Sequence, residues 1–506
     1  GAGLAGLSAA LQAAENGCNV KLVSSLPSER AQSVMAEGGI NAALNTKDEN
    51  DSPEEHFTDT IKAACGLADP NAVWGMTQAA PELVHWLLKL GVKFNMSGYD
   101  DVDLRNFGGQ KKKRTAFAQS DTGKQIMTAM IDAVRRKEAS GMVERFSHHS
   151  FLTLRLCGNI CCGCVIRDEY SQETVELPGD AVIVATGGMH GLFGNTTGSL
   201  SNTGEVTAEL FRLGVPLANG EMIQYHPTTV KCGGKRMLIS EAARGEGGRL
   251  FAMKDGKQWY FMEEKYPELG NLMPRDITAR EIWKVSHESE VFLDMTEISE
   301  EIISNKLSGL ADDCMTYLHK DIRKEPVSVL PGIHYFMGGI LVDEQHRTPI
   351  QNLCAAGECC AQYHGANRLG GNSLLGALYG GRVAAKSACE QADVVDLSCA
   401  TQIDFPPASQ ISEIKQLNKV MQETMGVVRN ENTLLNGIQT VQALTGNLPL
   451  LGMAVLKSAL ARKESRGAHW REDYPKSNDD DYLKTTVARF DGKQIQISFV
   501  PVPERR

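Results

Sequence analysis

The pattern of apolar and polar positions predicts alternating helices and strands over the first 222 residues. Residues 7–14 are rich in alanine and predict a helix that ends near Gly17, and residues 20–23 have the β-branched content of a strand. A β excursion is expected between residues 150 and 175. Residues 181–188 form an apolar run of strand length that ends in two glycines, which is typical of a buried strand followed by a tight turn. This alternation indicates an α/β fold.

The pattern changes at three further places along the chain. Between about residues 223 and 335 it is irregular and rich in His, Arg and Glu, and glycine turns then return until roughly residue 394. Such an interruption is typical of one domain inserted into another. Pro406 and Pro407 precede helical periodicity, and residues 495–500 predict a strand. We therefore expect one domain formed by residues 1–222 and 336–405, an insertion at 223–335, a helical part at 406–474 and a small C-terminal part at 475–506.

Composition limits the class of protein. The 506 residues are 42% hydrophobic and 23% charged, and a net charge of −10 argues against nucleic acid or an anionic membrane as a partner. No apolar run reaches the ~20 residues of a membrane-spanning helix, so membrane contact would come only through partner subunits. Thirteen irregularly spaced cysteines favour a reduced, cytoplasmic protein. Cys161, Cys162 and Cys164 lie in a predicted strand without metal-ligand spacing, so no metal site is expected.

The chain opens with a glycine pattern typical of dinucleotide binding. Gly1, Gly3 and Gly6 have the spacing G-x-G-x-x-G ahead of the predicted helix, which lets backbone approach a pyrophosphate. Because this motif normally follows a strand, we expect a strand upstream of Gly1. Ser24 stands where an acidic ribose ligand is usual, and its hydroxyl can still bond a ribose.

Further glycine turns extend the predicted cofactor site. The pair Gly38 and Gly39 suits a loop that lies against a flat ring, and Thr186 and Gly187 form the turn after the buried strand. Two nucleotide-facing turns in one domain favour a dinucleotide.

Two carboxylates also stand beside glycines. Glu205 follows Gly204 and Glu358 follows Gly357, where a carboxylate can accept hydrogen bonds from ribityl hydroxyls while the backbone stays close. Each is equally compatible with an acidic residue in the first turn of a helix.

Groups suited to a small dicarboxylate are concentrated in the inserted segment and the residues that follow it. They are His226, Glu241, Arg244, Arg275, His334 and Arg368. Two desolvated carboxylates need strong donors at both ends, and arginine supplies such donors in a fixed fork. Taken singly, each residue is more often a surface ion pair or a satisfied core residue. The hypothesis therefore depends on their occurring together beside glycine turns.

Residues 364–375 carry the sequence His-Gly-Ala-Asn-Arg-Leu-Gly-Gly-Asn-Ser-Leu-Leu, which is far more specific than a chance glycine loop. Together with the segments above, it resembles the flavoprotein subunit of the fumarate reductase and succinate dehydrogenase family, over residues 1 to about 475. The resemblance implies a Rossmann-type FAD-binding domain, an inserted α+β capping domain that closes over the substrate, a helical domain and a small C-terminal domain. It also implies a flavin-dependent oxidoreductase that interconverts fumarate and succinate.

Matching motif positions imply roles for single residues. Those matched to the dicarboxylate ligands are His226, Ser240, His334 and Arg368, with serine at 240 where the family commonly has threonine. Arg275 resembles the arginine that protonates one alkene carbon while FAD N5 passes a hydride to its neighbour. Glu241 and Arg244 resemble the relay that returns the proton to Arg275. We also assign Ser33, Ser373 and Leu374 to cofactor contacts.

One position departs from the family. Membrane-linked members carry a histidine, joined covalently to the flavin, where this chain has Gln32. An amide cannot form that bond, so FAD is expected to be noncovalent. Since the covalent bond favours succinate oxidation in the family, its absence favours fumarate reduction.

The resemblance also implies partners, and it leaves alternatives open. The sequence contains no cysteine pattern for an iron–sulfur cluster and no second nucleotide motif, so an iron–sulfur subunit is expected to carry electrons, with a location in the cytoplasm or at the inner membrane face through partners. L-aspartate oxidase is the nearest alternative, because it shares the architecture and noncovalent FAD. A flavin-binding subunit without dicarboxylate chemistry, either non-catalytic or nucleic-acid-modifying, is a third.

Overall fold

The computed structural model describes residues 1–98, 100–391, 405 and 410–506. The helices in this part are α1 (Leu4–Glu15), α2 (Pro53–Ala63), α3 (Pro70–Leu90), α4 (Thr122–Ala139), α5 (Glu205–Arg212), α6 (Glu241–Gly245), α7 (Phe261–Lys265), α8 (Arg275–Val285), α9 (Glu300–Lys306), α10 (Ser308–Asp313), α11 (Asn372–Gln391), α12 (Ile411–Thr424), α13 (Glu431–Val441), α14 (Asn447–Ala461) and α15 (Asp479–Tyr482).

The strands alternate with these helices through much of the chain. They are β1 (Val20–Ser24), β2 (Ile40–Asn41), β3 (Leu104–Arg105), β4 (Thr115–Ala116), β5 (Val143–Ser147), β6 (His149–Cys157), β7 (Ile160–Asp168), β8 (Thr174–Pro178), β9 (Val182–Val184), β10 (Leu217–Ala218), β11 (Ile223–Cys232), β12 (Lys235–Leu238), β13 (Arg249–Lys254), β14 (Lys257–Trp259), β15 (Val291–Asp294), β16 (Val327–Ser328), β17 (Leu330–Phe336), β18 (Gly339–Leu341), β19 (Leu353–Ala355), β20 (Cys360–Ala361), β21 (Lys484–Phe490) and β22 (Ile495–Pro501).

The N-terminal elements form where the sequence predicts them. Helix α1 starts directly after Gly3, and β1 pairs in parallel with β5. A Cβ on Gly6 would overlap the carbonyl oxygen of Gly1, and one on Gly1 would overlap that of Ala185. Glycine is therefore required for α1, the first residues and the end of β9 to touch. The predicted β excursion is the antiparallel sheet β6-β7-β8.

Residues 223–336 form two antiparallel sheets, ordered β12-β11-β17 and β14-β13-β15-β16, together with helices α6 to α10. Their apolar side chains make a separate core that includes Leu250, Ile282 and Leu293. Phe107, from the first part of the chain, packs into this core. The inserted segment is thus a packed unit that rests on the dinucleotide-binding part.

The C-terminal hairpin β21–β22 is continuous with the rest of the molecule. It extends a five-stranded sheet ordered β20-β18-β10-β21-β22. The side chain of Arg462, fully buried, fixes this junction by donating to Glu221 (2.7 Å), Glu464 (2.8 Å) and the hydroxyl of Thr486 (2.7 Å). The domain boundaries themselves stay a prediction, and Pro406 and Pro407 lie outside the described residues.

The structure bears on the expectations about cysteines, metal sites and membrane spans. Cys161 and Cys162 are buried free thiols within β7, and no cluster of His, Cys, Asp and Glu in the described ranges is arranged to hold a metal ion. Cys157 is disulfide-bonded, which departs from the expectation of a fully reduced chain. Among the described helices, none combines the length and apolarity needed to cross a membrane.

Candidate functional site

A cavity of about 1880 Å³ extends from the N-terminus of α1 to the inserted segment. The predicted cofactor residues that line it are Gly1, Gly3, Gly6, Ser24, Ser33, Gly38, Gly39, Thr186, Gly187, Glu205, Glu358, Ser373 and Leu374. The predicted substrate and catalytic residues that line it are His226, Ser240, Glu241, Arg275, His334 and Arg368. The structure thus brings both predicted sets to one continuous space. Arg244 does not line the cavity, but it donates a hydrogen bond to Glu241, which does.

The cofactor end of the cavity is built for close approach of a ligand to backbone. At the start of α1, the N–H of Leu4 donates to Ser33 Oγ (3.2 Å), and this helix N-terminus has no acidic residue in its first turn. Ser24 Oγ is buried and finds no hydrogen-bond partner among the described residues, as expected if a ribose hydroxyl completes it. These features fit the diphosphate and ribose of a dinucleotide.

The two carboxylates at this end differ in environment. Glu358 Oε1 accepts from the N–H of Phe336 (3.1 Å) and lies 3.5 Å from His190 Nε2, and its side chain is 13% exposed. Glu205 is exposed and is the first residue of α5, directly after Gly204, so it has the position of an acidic residue in the first turn of a helix. A Cβ on Gly188 would come within 2.7 Å of Glu358, which leaves this wall tightly packed.

The substrate end contains a group of residues here named the substrate cluster: His226, Ser240, Glu241, Arg244, Arg275, His334 and Arg368. Helix α8 begins at Arg275, whose Nε and Nη2 donate to Glu241 Oε2 at 2.8 and 2.7 Å. Glu241 Oε1 accepts from Arg244 Nη2 (3.2 Å) and from the N–H of Gly108 (3.2 Å). One turn of α6 therefore brings Arg244 to one side of Glu241, and the start of α8 brings Arg275 to the other.

Burial and charge together set the protonation of Glu241. Burial, the largest influence, pushes its pKa upward, but the charges of Arg275 and Arg244 and the hydrogen bonds to it hold the pKa below its usual value. Burial lowers the pKa of Arg244, and Glu241 opposes that change. The group is therefore an ionised carboxylate between cations.

The two histidines of the cluster are neutral. Their rings lie 5.1 Å apart at 67°. Burial, followed by the charge of Arg275, lowers the pKa of both His226 and His334 well below the ordinary value. Nδ1 of His226 is hydrogen-bonded to the backbone of Thr228 (3.1 Å), so its Nε2 is left for a ligand.

Arg368 is held differently from Arg275. Its guanidinium lies 4.4 Å above the ring of Tyr335, and its Nε is buried with no hydrogen-bond partner among the described residues. Burial first, and then the charge of Arg275, lowers its pKa to about 9. Donors of Arg368 are thus available to an anion.

The formal charge of the substrate cluster matches a dianion. Arg244, Arg275 and Arg368 carry three positive charges against the single negative charge of Glu241, and the histidines are neutral. The cluster has an excess of two positive charges in a buried space. A small molecule with two carboxylates balances it.

Three residues that support the cluster were not predicted. Gln224 accepts from Arg275 Nη1 (3.1 Å) while its own amide donates to the backbone oxygen of Arg368 (2.8 Å), so it ties the two arginines together. Thr197 Oγ1 is hydrogen-bonded to His334 Nδ1 (2.8 Å). Tyr335 supports Arg368. For Gln224 and Tyr335 the sequence signal was a position beside predicted residues, in Gln-Tyr-His and His-Tyr, whereas Thr197 has no predicted residue next to it.

Comparison with known proteins identifies the family. An FAD-binding domain family model matches residues 1–374, and the fumarate reductase flavoprotein C-terminal model matches residues 444–505. The chain is 38% identical to the succinate dehydrogenase flavoprotein subunit of Bacillus subtilis, with 100% of this chain and 97% of that protein covered. The chain belongs to the succinate dehydrogenase and fumarate reductase flavoprotein family. It is an FAD-dependent oxidoreductase of that family.

Other relatives agree with this placement. The chain is 32% identical to the 8-methylmenaquinol:fumarate reductase flavoprotein subunit of Wolinella succinogenes, covering 100% of this chain and 91% of that one. It matches a mutant Escherichia coli quinol fumarate reductase with a TM-score of 0.90 and 28% identity, over 99% of this chain and 95% of that chain. The family and fold class predicted from the sequence are therefore confirmed for this flavoprotein.

Proposed function

We propose that this flavoprotein interconverts fumarate and succinate and works mainly as a fumarate reductase. The observation that carries the proposal is the excess of two positive charges in the substrate cluster, which lines the same cavity as the cofactor residues. Relatives named as succinate dehydrogenases and as fumarate reductases are both similar to this chain. The charge pattern supports a dicarboxylate substrate in either direction.

Different residues of the substrate cluster have different roles in this proposal. Arg368, with Ser240 and the imidazoles of His226 and His334, is placed to bind the carboxylates at the cavity wall. FAD, when bound, supplies or accepts the hydride. Arg275 donates the proton to the alkene carbon that does not take the hydride. Glu241 orients the Arg275 guanidinium through two hydrogen bonds and, with Arg244 behind it, returns a proton to Arg275 after turnover.

Arginine is a weak acid in water, but the surroundings of Arg275 favour proton transfer from it to the substrate. Arg275 is 6% exposed, so water competes little for its protons. The carbanion that develops next to a carboxylate is strongly basic and is quenched as it forms. Gln224 holds a third position of the guanidinium, which restricts the direction in which a proton can leave.

The experiment compares two arginines on one helix. We expect Arg275→Ala to retain FAD and to lose about 10²–10⁴-fold of fumarate turnover. Arg280→Ala is the matched control, since Arg280 lies on α8 above the ring of Trp470 (4.0 Å) and outside the cavity wall. Turnover is measured by anaerobic reoxidation of chemically reduced flavin with fumarate. A turnover of Arg275→Ala close to that of Arg280→Ala would remove Arg275 from this role.

The same assay distinguishes the alternatives. Bleaching of the oxidised flavin by L-aspartate, without reoxidation of reduced flavin by fumarate, would favour an aspartate oxidase. No spectral response to fumarate or malonate would favour a flavin-binding subunit without dicarboxylate chemistry.

We propose further that FAD is noncovalent in this chain. Gln32 begins the 3₁₀ turn Gln32–Met35 and lines the cavity, at the position matched to the flavin-linking histidine. Acid precipitation should therefore leave the yellow colour in the supernatant. Colour in the pellet would contradict the proposal and the argument it gives for fumarate reduction.

We also propose an iron–sulfur subunit as the electron-transfer partner, and contact with a membrane only through such partners. The relatives are named as flavoprotein subunits, and the described residues include no group of side chains arranged to hold a metal ion. Purification of the native assembly and identification of co-migrating chains test this.

A further inference from the structure

Two cysteines far apart in sequence meet at the ends of α1 and α11. Sγ of Cys18 lies 2.6 Å from Sγ of Cys389, and 371 positions separate the two residues. Both are half-buried free thiols. A disulfide bond is about 2.0 Å long, so the two sulfurs need little movement to bond.

The backbone holds the two sulfurs at this place. The N–H of Cys18 donates to the carbonyl of Ala13 (3.0 Å), which closes the end of α1 around Gly17 at φ +84°. Helices α1 and α11 lie so close that a Cβ on Gly381 would overlap the carbonyl oxygen of Ala5. The thiols therefore meet because two rigid helices are in direct contact.

The pair is also open to small molecules. Both Cys18 and Cys389 line the same cavity as the cofactor residues. Burial, followed by the neighbouring Cys18 thiol, raises the pKa of Cys389 to about 12. Cys389 keeps its proton, so the exchange is assigned to begin at the other sulfur of the pair.

We propose that Cys18 and Cys389 form a reversible disulfide that restrains the FAD-binding helices. The oxidant is a low-molecular-weight disulfide of the glutathione type. The Cys18 thiolate attacks one of its sulfurs, breaks that S–S bond, forms a mixed disulfide and releases one thiolate. Cys389 then gives its proton to the small thiolate released in the first step and attacks Cys18 Sγ, which forms the internal S–S bond and releases the second thiolate. The protein loses two electrons, and the small disulfide gains them.

The consequence for the cofactor follows from where the helices begin. The N-terminal ends of α1 and α11 carry Leu4 and Leu374, which line the cofactor end of the cavity. A bond between the C-terminal ends limits movement of one helix against the other. The oxidised protein should therefore open less often at this contact and lose FAD more slowly.

The test uses reduced holoprotein incubated with oxidised glutathione. Peptide mapping should then show the Cys18 and Cys389 peptides crosslinked, with loss of two hydrogen atoms, and a reductant should reverse it. The Tm should rise on the order of 5 °C, and FAD loss on dilution should slow by about threefold or more. Cys232→Ser is the matched control, because Cys232 is also half-buried and lines the cavity, and it should respond like the wild type.

Two serine variants test the pair directly, and different results would overturn the disulfide and the restraint. Cys18→Ser and Cys389→Ser should each lack the crosslink, the rise in Tm and the slower FAD loss, while the wild-type map stands even if a variant folds poorly. Separate alkylation of both thiols after oxidation, or a stable glutathione adduct on Cys18, would overturn the proposed disulfide. A crosslinked protein that loses FAD at the rate of the reduced one would overturn the restraint.

Discussion

Replacement of Glu241 by glutamine tests the centre of the proposed mechanism. The Glu241 side chain is 1% exposed and accepts four hydrogen bonds, two from Arg275, one from Arg244 and one from Gly108. Glutamine keeps the shape but removes the charge and turns an N–H₂ group toward guanidinium donors. Breaking a buried ion pair costs about 3–5 kcal/mol. If that interaction is used in the transition state, the loss corresponds to roughly 10²–10⁴ in turnover.

The assay separates a loss of catalysis from a loss of fold. We expect Glu241→Gln to retain FAD, to lower fumarate turnover by that factor and to change KM less. Glu263→Gln is the control, because Glu263 accepts a similar pair of bonds from Arg249 (2.9 and 2.7 Å) but is 34% exposed. Such an exposed pair is worth about 1 kcal/mol or less, so the control should keep its turnover.

The reasoning fails if Glu241→Gln reduces fumarate within about threefold of the wild-type rate. It also fails if Glu241→Gln and Glu263→Gln lose turnover equally, since the effect would then come from stability of the inserted segment. Urea unfolding of both variants separates these cases.

Three other measurements probe different parts of the molecule. Gly6→Ala should abolish FAD retention on desalting, because its Cβ would overlap a backbone carbonyl oxygen, and a yellow variant would contradict this. For fumarate, kcat/KM should show no break near pH 6.5. Burial, followed by the charge of Arg275, keeps the pKa of His226 and of His334 well below that value, so both rings stay neutral. A break that His226→Gln or His334→Gln removes would refute this. Arg462→Met should lower stability to urea, by about 3–5 kcal/mol if its carboxylate partners stay charged, with kcat unchanged, whereas unaltered unfolding would show the network to be neutral.

The sequence predicted the parts of the fold that depend on local pattern. Helix α1 and strand β1 form where alanine-rich and β-branched runs stand, because their periods differ and Gly17 separates them. The glycine turns were predictable for the same reason, since a missing Cβ is visible in the sequence. The pairing of β10 with β21 was not, because it joins residues about 270 apart and two-residue strands carry almost no pattern.

The substrate cluster was predicted from residue types and from a family resemblance, and its supports were missed. Gln224 makes contacts only when β11, α8 and the loop before α11 come together, so its sequence neighbours do not show what it binds. Thr197 likewise meets His334 from 137 positions away. Such residues depend on tertiary packing, which apolar periodicity does not specify.

Arg275 and Arg368, the two arginines of the substrate cluster that line the cavity, have surroundings that suit the two different roles proposed for them. A guanidinium that gives up a proton needs a neighbouring group that can pass a proton on to it, and in the proposed relay Glu241 lies 2.7 Å from Arg275 and accepts a hydrogen bond from Arg244 on its other oxygen. A guanidinium that binds a carboxylate needs charge that no protein group has cancelled, and Arg368 lies over Tyr335 with an unpaired Nε. Exchanging the partners would weaken both proposed functions, because Arg275 would lose the relay that returns its proton and a substrate carboxylate would lose the uncancelled charge of Arg368. In the proposed mechanism, the position of Glu241, rather than the number of arginines, therefore decides which arginine is the acid.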